Sequence, residues 1–169
     1  MNQEPTIRSR RIFEGKILSV RVDTIGLSQG GTATREIIEH GPAAAIVPLD
    51  ENLNVLLVRQ YRKAVDQVLL EVPAGRVEDG EEPEACAQRE LEEETGFSAN
   101  RWERLGSFFT TPGFSDEKMH SFLATELTPG ESHPDDDEVI EPVTVPLTLV
   151  RELIEKGEIR DAKTITSLL

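Results

Sequence analysis

Apolar and polar positions alternate through much of the first seventy residues, in short runs separated by turn-forming clusters. RIF (11–13), KILSVRVDTIGL (16–27), TATREIIEH (32–40), AAAIVPL (43–49), NVLLVRQY (54–61) and QVLLEV (67–72) read as strands, with SQGG and LDENLN as breaks. Together they predict an antiparallel sheet. At Glu81 the pattern changes. EEPEACAQRELEEET (81–95) is rich in Glu and Ala, has Pro83 in its first turn and Gly96 just past its end, and so predicts one helix with its own stop signal. Further strands are predicted at 101–109, 118–127 and 141–147, and short helices at 147–157 and 161–169, the last opened by Asp161 as N-cap. The expected class is α+β with the sheet in the centre.

Composition narrows the function. A chain of 169 residues suits one full core. A formal net charge of -14 makes nucleic-acid backbones and anionic membrane surfaces unfavourable partners. A small phosphorylated ligand stays open, because divalent cations can reverse the local sign at a site. One cysteine, Cys86, cannot form an intramolecular disulfide or a cysteine-based zinc site, so the cytoplasm is the expected compartment. No run approaches the roughly 18 apolar residues of a membrane helix, and no apolar stretch follows the basic residues near the start, so a soluble, unprocessed chain is expected. ESHPDDDE (131–138) taken alone is a solvated acidic loop.

The helix carries the chemistry. Glu90 and Glu94 are four residues apart and Glu90 and Glu93 three, so their carboxylates converge on one side, where like charges cost helix stability. A hard dication such as Mg²⁺ or Mn²⁺ would offset that repulsion and retain positions for water and phosphate oxygens. A solvated acidic helix is the bland alternative, and it leaves Gly75 and Gly96 unexplained.

From Gly75 to Phe97 the spacing G-x5-E-x7-R-E-U-x-E-E-x-G-U, with U a bulky apolar residue, resembles the Nudix box at every specified position. The resemblance implies an α/β/α sandwich with a mixed central sheet, and hydrolysis of a pyrophosphate with Mg²⁺ or Mn²⁺ as cofactor. It implies Glu90 and Glu94 as main metal ligands, Glu93 as a further ligand with a catalytic part, and the carbonyl of Ala74 as another donor. Arg89 would orient the glutamates, and Glu81 would belong to their network.

Residues outside the box bear on the substrate. Pro112, sixteen residues after Gly96 and followed by Gly113, resembles the signature of ADP-ribose pyrophosphatases within this family. REIIEHGPAAAIVPL, VRQYR, LLEVPAGRVEDGE and the acidic loop before IEPV resemble the bacterial members, so the likeness runs from about Arg11 onward. It implies Arg35 and Arg62 as ligands of the phosphates or the adenine-ribose portion. It also implies Asp136 as general base and Glu138 as ligand or alternative base. Residues 1–40 are expected to be an antiparallel β segment that forms a homodimer, and 41–169 the hydrolase domain. Another nucleotide-sugar substrate such as GDP-mannose, or a non-catalytic nucleotide-binding module, are the competing readings.

Overall fold

A computed structural model describes residues 3–132 and 139–169. The chain divides into two compact units, Met1–Gly41 with Phe109–Lys118, and Pro42–Phe108 with Met119–Leu169.

In the first unit β1 (Thr6–Glu14), β2 (Leu18–Gly26) and β3 (Thr32–His40) form an antiparallel sheet with β2 in the middle. β1 begins five residues before the predicted RIF run, because its alternation is masked by three arginines, and all nine of its residues are exposed. The segment after Phe109 docks on β3. Ile38 N donates to Phe114 O at 2.7 Å and Asp116 N to Ile38 O at 3.2 Å.

The second unit is built around β4 (Ala43–Pro48), buried at every residue. Its two faces serve different layers. Ala44 and Ile46 pack with Cys86, Ala87 and Leu91 of α1 (Pro83–Thr95) and with Phe122 and Ala124 of β9 (Lys118–Pro129). Ala43, Ala45 and Val47 face Val55 and Leu57 of β5 (Asn54–Arg62), Val145 of β10 (Ile140–Pro146), Val150 of α2 (Leu147–Glu155) and Ile159. A strand covered on both faces is apolar without alternation, which is why AAAIVP reads as a continuous run. β4 pairs antiparallel with β7 (Ala74–Arg76) and parallel with β9, while β8 (Phe97–Phe109) lies outside β9. A second sheet has the order β10-β5-β6, with β6 at Gln67–Glu71. The architecture is the expected α+β, with mixed and antiparallel sheets.

The expectation that the first half is antiparallel throughout is corrected by β4. Ala43 faces Met119 in a parallel register that joins residues far apart in the chain, a relation that local alternation cannot encode. β7 is a three-residue strand too short to show a period. β8 starts directly after the helix, four residues earlier than predicted, since Phe97, Ala99 and Trp102 pack against the α1 cluster. Among the described residues no helix is long and apolar enough to cross a membrane.

The C-terminal helix α3 (Ala162–Leu168) is started as predicted by Asp161, whose side chain accepts from Thr164 N at 2.9 Å. Partial burial opposes the Asp161 charge. Lys163 and the Thr164 hydrogen bonds outweigh it and hold the carboxyl below its ordinary 3.8. The stabilisation is therefore complete above 3.8 and is lost as pH falls through the lower folded value. Asp161→Ala should lower stability at pH 7 by about 1–2 kcal/mol, with the gap to wild type closing toward pH 2. Thermal melts at both pH values check this, and equal melting temperatures at pH 7 would contradict the cap.

Candidate active site

α1 follows a loop in which Glu81 N donates to Glu78 O at 3.0 Å and Glu78 N to a Glu81 carboxylate oxygen at 2.9 Å. Pro83 occupies the first turn, where its missing N–H loses no helical bond. Cys86, Ala87 and Leu91 face the core, which turns Arg89, Glu90 and Glu93 toward the loop. Arg89 then gathers the acids. Its Nε and Nη2 donate to the two Glu81 oxygens at 3.0 and 3.1 Å, and its Nη1 donates to Glu90 Oε1 at 2.7 Å and Glu93 Oε2 at 2.9 Å. Nη2 also reaches Arg76 O at 3.1 Å. The Glu81 hydrogen bonds, with those of Glu90 and Glu93, outweigh partial burial and raise the Arg89 pKa well above the arginine range. In return they keep the Glu81 carboxyl below the usual range. Cys86 sits beneath, buried, its thiol pushed up to about 12 chiefly by that burial, so it is a core residue with no thiolate chemistry.

Both glycines of the motif have a steric reason. The Glu90 carboxylate lies against the Gly75 backbone, where any Cβ would collide with it. Gly96 caps α1 with φ +74° and donates to Glu92 O at 2.8 Å, and a Cβ there would meet Ser132 N at 2.8 Å. Beside this cap, Arg89, Glu92, Glu93, Gly96, Gly130 and Glu131 line a cavity of about 480 Å³. Glu94 is 95 % buried, with 5 % exposure, and its Oε2 accepts from Ala74 N at 3.1 Å. Glu90, Glu93, Glu94 and the Ala74 backbone thus lie around one helix face and the strand beside it.

Arg62 stands at the end of β5, its Nε and Nη2 donating to the Glu71 carboxylate at 3.1 and 2.9 Å. Burial opposes its charge, but Glu71, Glu94 and Asp161 outweigh that cost and raise its pKa. Arg35, Pro112 and Gly113 belong to the other unit. Arg35 Nε and Nη2 donate to Glu4 at 3.0 and 2.6 Å. The Pro112–Gly113 turn sits in a segment closed by Thr110 Oγ1 donating to Glu117 Oε2 at 2.5 Å, and anchored to β3 by His40 N donating to Asp116 Oδ1 at 2.8 Å. Asp136 and Glu138 lie outside the described residues. Two charged groups linked to Arg62 went unread in the sequence, Glu71 and Lys163. A glutamate closing the apolar run QVLL was the available signal for the first; the second had none.

A family model described as the NUDIX domain matches residues 39–168. The chain belongs to that family. It is 41% identical, over 96% of its length and 89% of the relative's, to an ADP-ribose pyrophosphatase of Bacillus subtilis (strain 168). It is 35% identical, over 79% of its length and 75% of the relative's, to a GDP-mannose pyrophosphatase of Cronobacter sakazakii (strain ATCC BAA-894). A crystal structure of an ADP compounds hydrolase superposes with a TM-score of 0.90 at 24% identity, covering 99% of this chain and 91% of that one, which bears on the fold alone. The protein is a Nudix hydrolase, an enzyme of the ADP-ribose pyrophosphatase-like kind.

The Nudix helix offers carboxylate oxygens, the donor chemistry that suits a hard dication, and Gly75 clears the space in which the Glu90 carboxylate lies. Among the described residues no group of three or more His, Cys, Asp or Glu is gathered as a ready metal site. Glu90 and Glu93 are instead engaged by Arg89, and Glu94 by Ala74 N. Gly75→Ala should leave the protein folded, because the colliding group is the end of a flexible side chain, yet displace Glu90 and reduce turnover by about 100-fold. Steady-state kinetics beside a thermal melt check this; turnover close to wild type would mean that Glu90 does not need its present place.

Proposed function

We propose that this Nudix hydrolase cleaves the pyrophosphate of ADP-ribose, giving AMP and ribose 5-phosphate. The observation that carries the choice of substrate is the 41% identity across 96% of the chain to a protein named for that activity. Pro112, at its offset from Gly96, supports it.

Glu90, Glu93 and Glu94, with the Ala74 carbonyl and Glu138, would hold Mg²⁺ or Mn²⁺, which supplies charge neutralisation and acidification of water when bound. The chain's own residues do the rest. Arg89 keeps Glu81, Glu90 and Glu93 together against their mutual repulsion. Arg62 is assigned to the phosphates or the adenine-ribose portion, and the resemblance of their segments makes Arg35, Pro112 and Gly113 further substrate-binding candidates. The water oxygen bonds to one phosphorus as the bridging P–O bond breaks. Its proton passes to a carboxylate, assigned to Asp136 or Glu138 by position in the sequence alone, with Glu93 assisting.

Rates on ADP-ribose, GDP-mannose, diadenosine polyphosphates and 8-oxo-dGTP with Mg²⁺ test the reading. ADP-ribose should rank first by kcat/KM, and Glu94→Gln should remove activity by orders of magnitude with the fold retained. Equal or greater activity on GDP-mannose would replace the substrate. Tight ADP-ribose binding without AMP release under any dication would make the protein a binding module.

The N-terminal β segment is proposed as the dimerisation arm. β1 is exposed along its whole length, with Ile7, Ile12 and Phe13 each more than half exposed. Sedimentation should give a dimer, and Ile7→Asp with Ile12→Asp a monomer; an unchanged mass would exclude this face.

A further inference from the structure

Glu71 is an unusual residue for the end of an apolar strand. It is 1% exposed, yet its carboxyl group sits in two ion pairs. A carboxylate removed from water to that extent requires strong partners, and it has two cations. Arg62 takes it through a side-on fork, Nε and Nη2 on the two oxygens. Lys163, from the first turn of α3, donates Nζ to Oε2.

The arginine alone would satisfy the charge of Glu71, so the lysine adds something else: it ties the carboxylate to α3. Lys163 is itself held, donating to Asp161 Oδ2 at 2.9 Å, and Asp161 is fixed by capping the helix. The neighbouring Thr164 is 0% exposed and accepts from Val72 N at 3.0 Å, so α3 also grips the backbone that leads into Ala74 and Gly75. The chain of contacts runs from the α3 N-cap through Lys163 and Glu71 to Arg62. The fork that Glu71 occupies leaves Nη1 on the opposite edge of the guanidinium, and the side chain of Arg62 is 36% exposed. That edge can take an anionic oxygen without giving up Glu71. A guanidinium with its plane set beforehand loses less freedom on binding a phosphate than one that has to be ordered by it.

We propose that Lys163 is a positioning residue: by fixing Glu71 it fixes Arg62, and so sets how tightly the enzyme holds the diphosphate of its substrate. The proposal rests on the reading of Arg62 as a substrate ligand. It gives the last helix, distant from the Nudix box in sequence, a part in affinity.

The test uses the full chain and four variants, Lys163→Met, Lys163→Arg, Arg62→Gln and the Arg62→Gln/Lys163→Met pair. Melting temperature, KM and kcat on ADP-ribose are measured, with calorimetric Kd for α,β-methylene ADP-ribose, whose bridge cannot be hydrolysed. Lys163→Met should raise KM and Kd by about tenfold while kcat stays within about twofold, and Lys163→Arg should recover most of the loss. On the Arg62→Gln background, Lys163→Met should add less than about twofold, because its route to the substrate is already cut. A lowered melting temperature with unchanged KM and Kd would reduce Lys163 to a staple of α3 and overturn the proposal, as would full multiplication of the two effects in the pair. Should Lys163→Met not fold, Lys163→Gln carries the same comparison. If Arg62→Gln itself leaves KM unchanged, the reading of Arg62 is what fails; if it raises KM and Lys163→Met does not, the positioning role alone falls.

Discussion

One guanidinium, that of Arg89, holds the acids of the loop and the helix together. Glu81, Glu90 and Glu93 take four hydrogen bonds from it and the Arg76 carbonyl another, in a layout that a lysine ammonium could not serve, since two edges of a planar fork are in use at once. The loop before α1 is tied to the same hub, because Glu81 is held by Arg89 and in turn accepts from Glu78 N. Loop and helix therefore form one electrostatic unit. Repulsion between carboxylates, which reads in the sequence as a demand for a metal ion, is partly met by the protein itself, and a bound dication would be sharing Glu90 and Glu93 with an arginine already present.

The core supports that unit from both sides of β4. Ala44 and Ile46 seat the α1 face that carries Cys86, Ala87 and Leu91, while Ala43, Ala45 and Val47 seat β5, β10 and α2. Small residues on the strand allow close approach, and the two glycines of the motif continue that economy of space. Gly75 admits a carboxylate where a methyl group would stand, and Gly96 admits the backbone at Ser132. The distance from core to site is thus one residue, with Ala74 pairing with Ala45 in the sheet while its N–H serves Glu94.

Much of this was legible because the signals are local. Periods of two and the Pro83-to-Gly96 frame gave α1 and every strand but β7 to within about five residues, and the spacing of Glu90, Glu93 and Glu94 gave the acidic face. Legibility ended where the determining contact joins distant positions. The parallel β4–β9 register sets Ala43 beside Met119, and the Glu71–Lys163 ion pair spans 92 positions; neither leaves a periodic trace. Gly75 was marked by the motif, but its reason, the carboxylate of Glu90, became visible only in space.

The same geometry resolves an apparent conflict between a net charge of -14 and a diphosphate ligand. Long-range repulsion between exposed charges is screened beyond about 10 Å at moderate salt, so the bulk charge discourages extended polyanions and acts weakly on a small ligand already at the site. Close in, the balance is set by which charges are already paired. Glu81, Glu90 and Glu93 are committed to Arg89, Glu71 is committed to Arg62 and Lys163, and Asp161 to Lys163 and the cap of α3. Three acids therefore share one guanidinium and leave the helix face net negative, whereas Glu71 and Asp161 are balanced by Arg62 and Lys163. Bound dications would reverse the sign at that face for a small anion, while the protein's overall acidity disfavours longer polyanions.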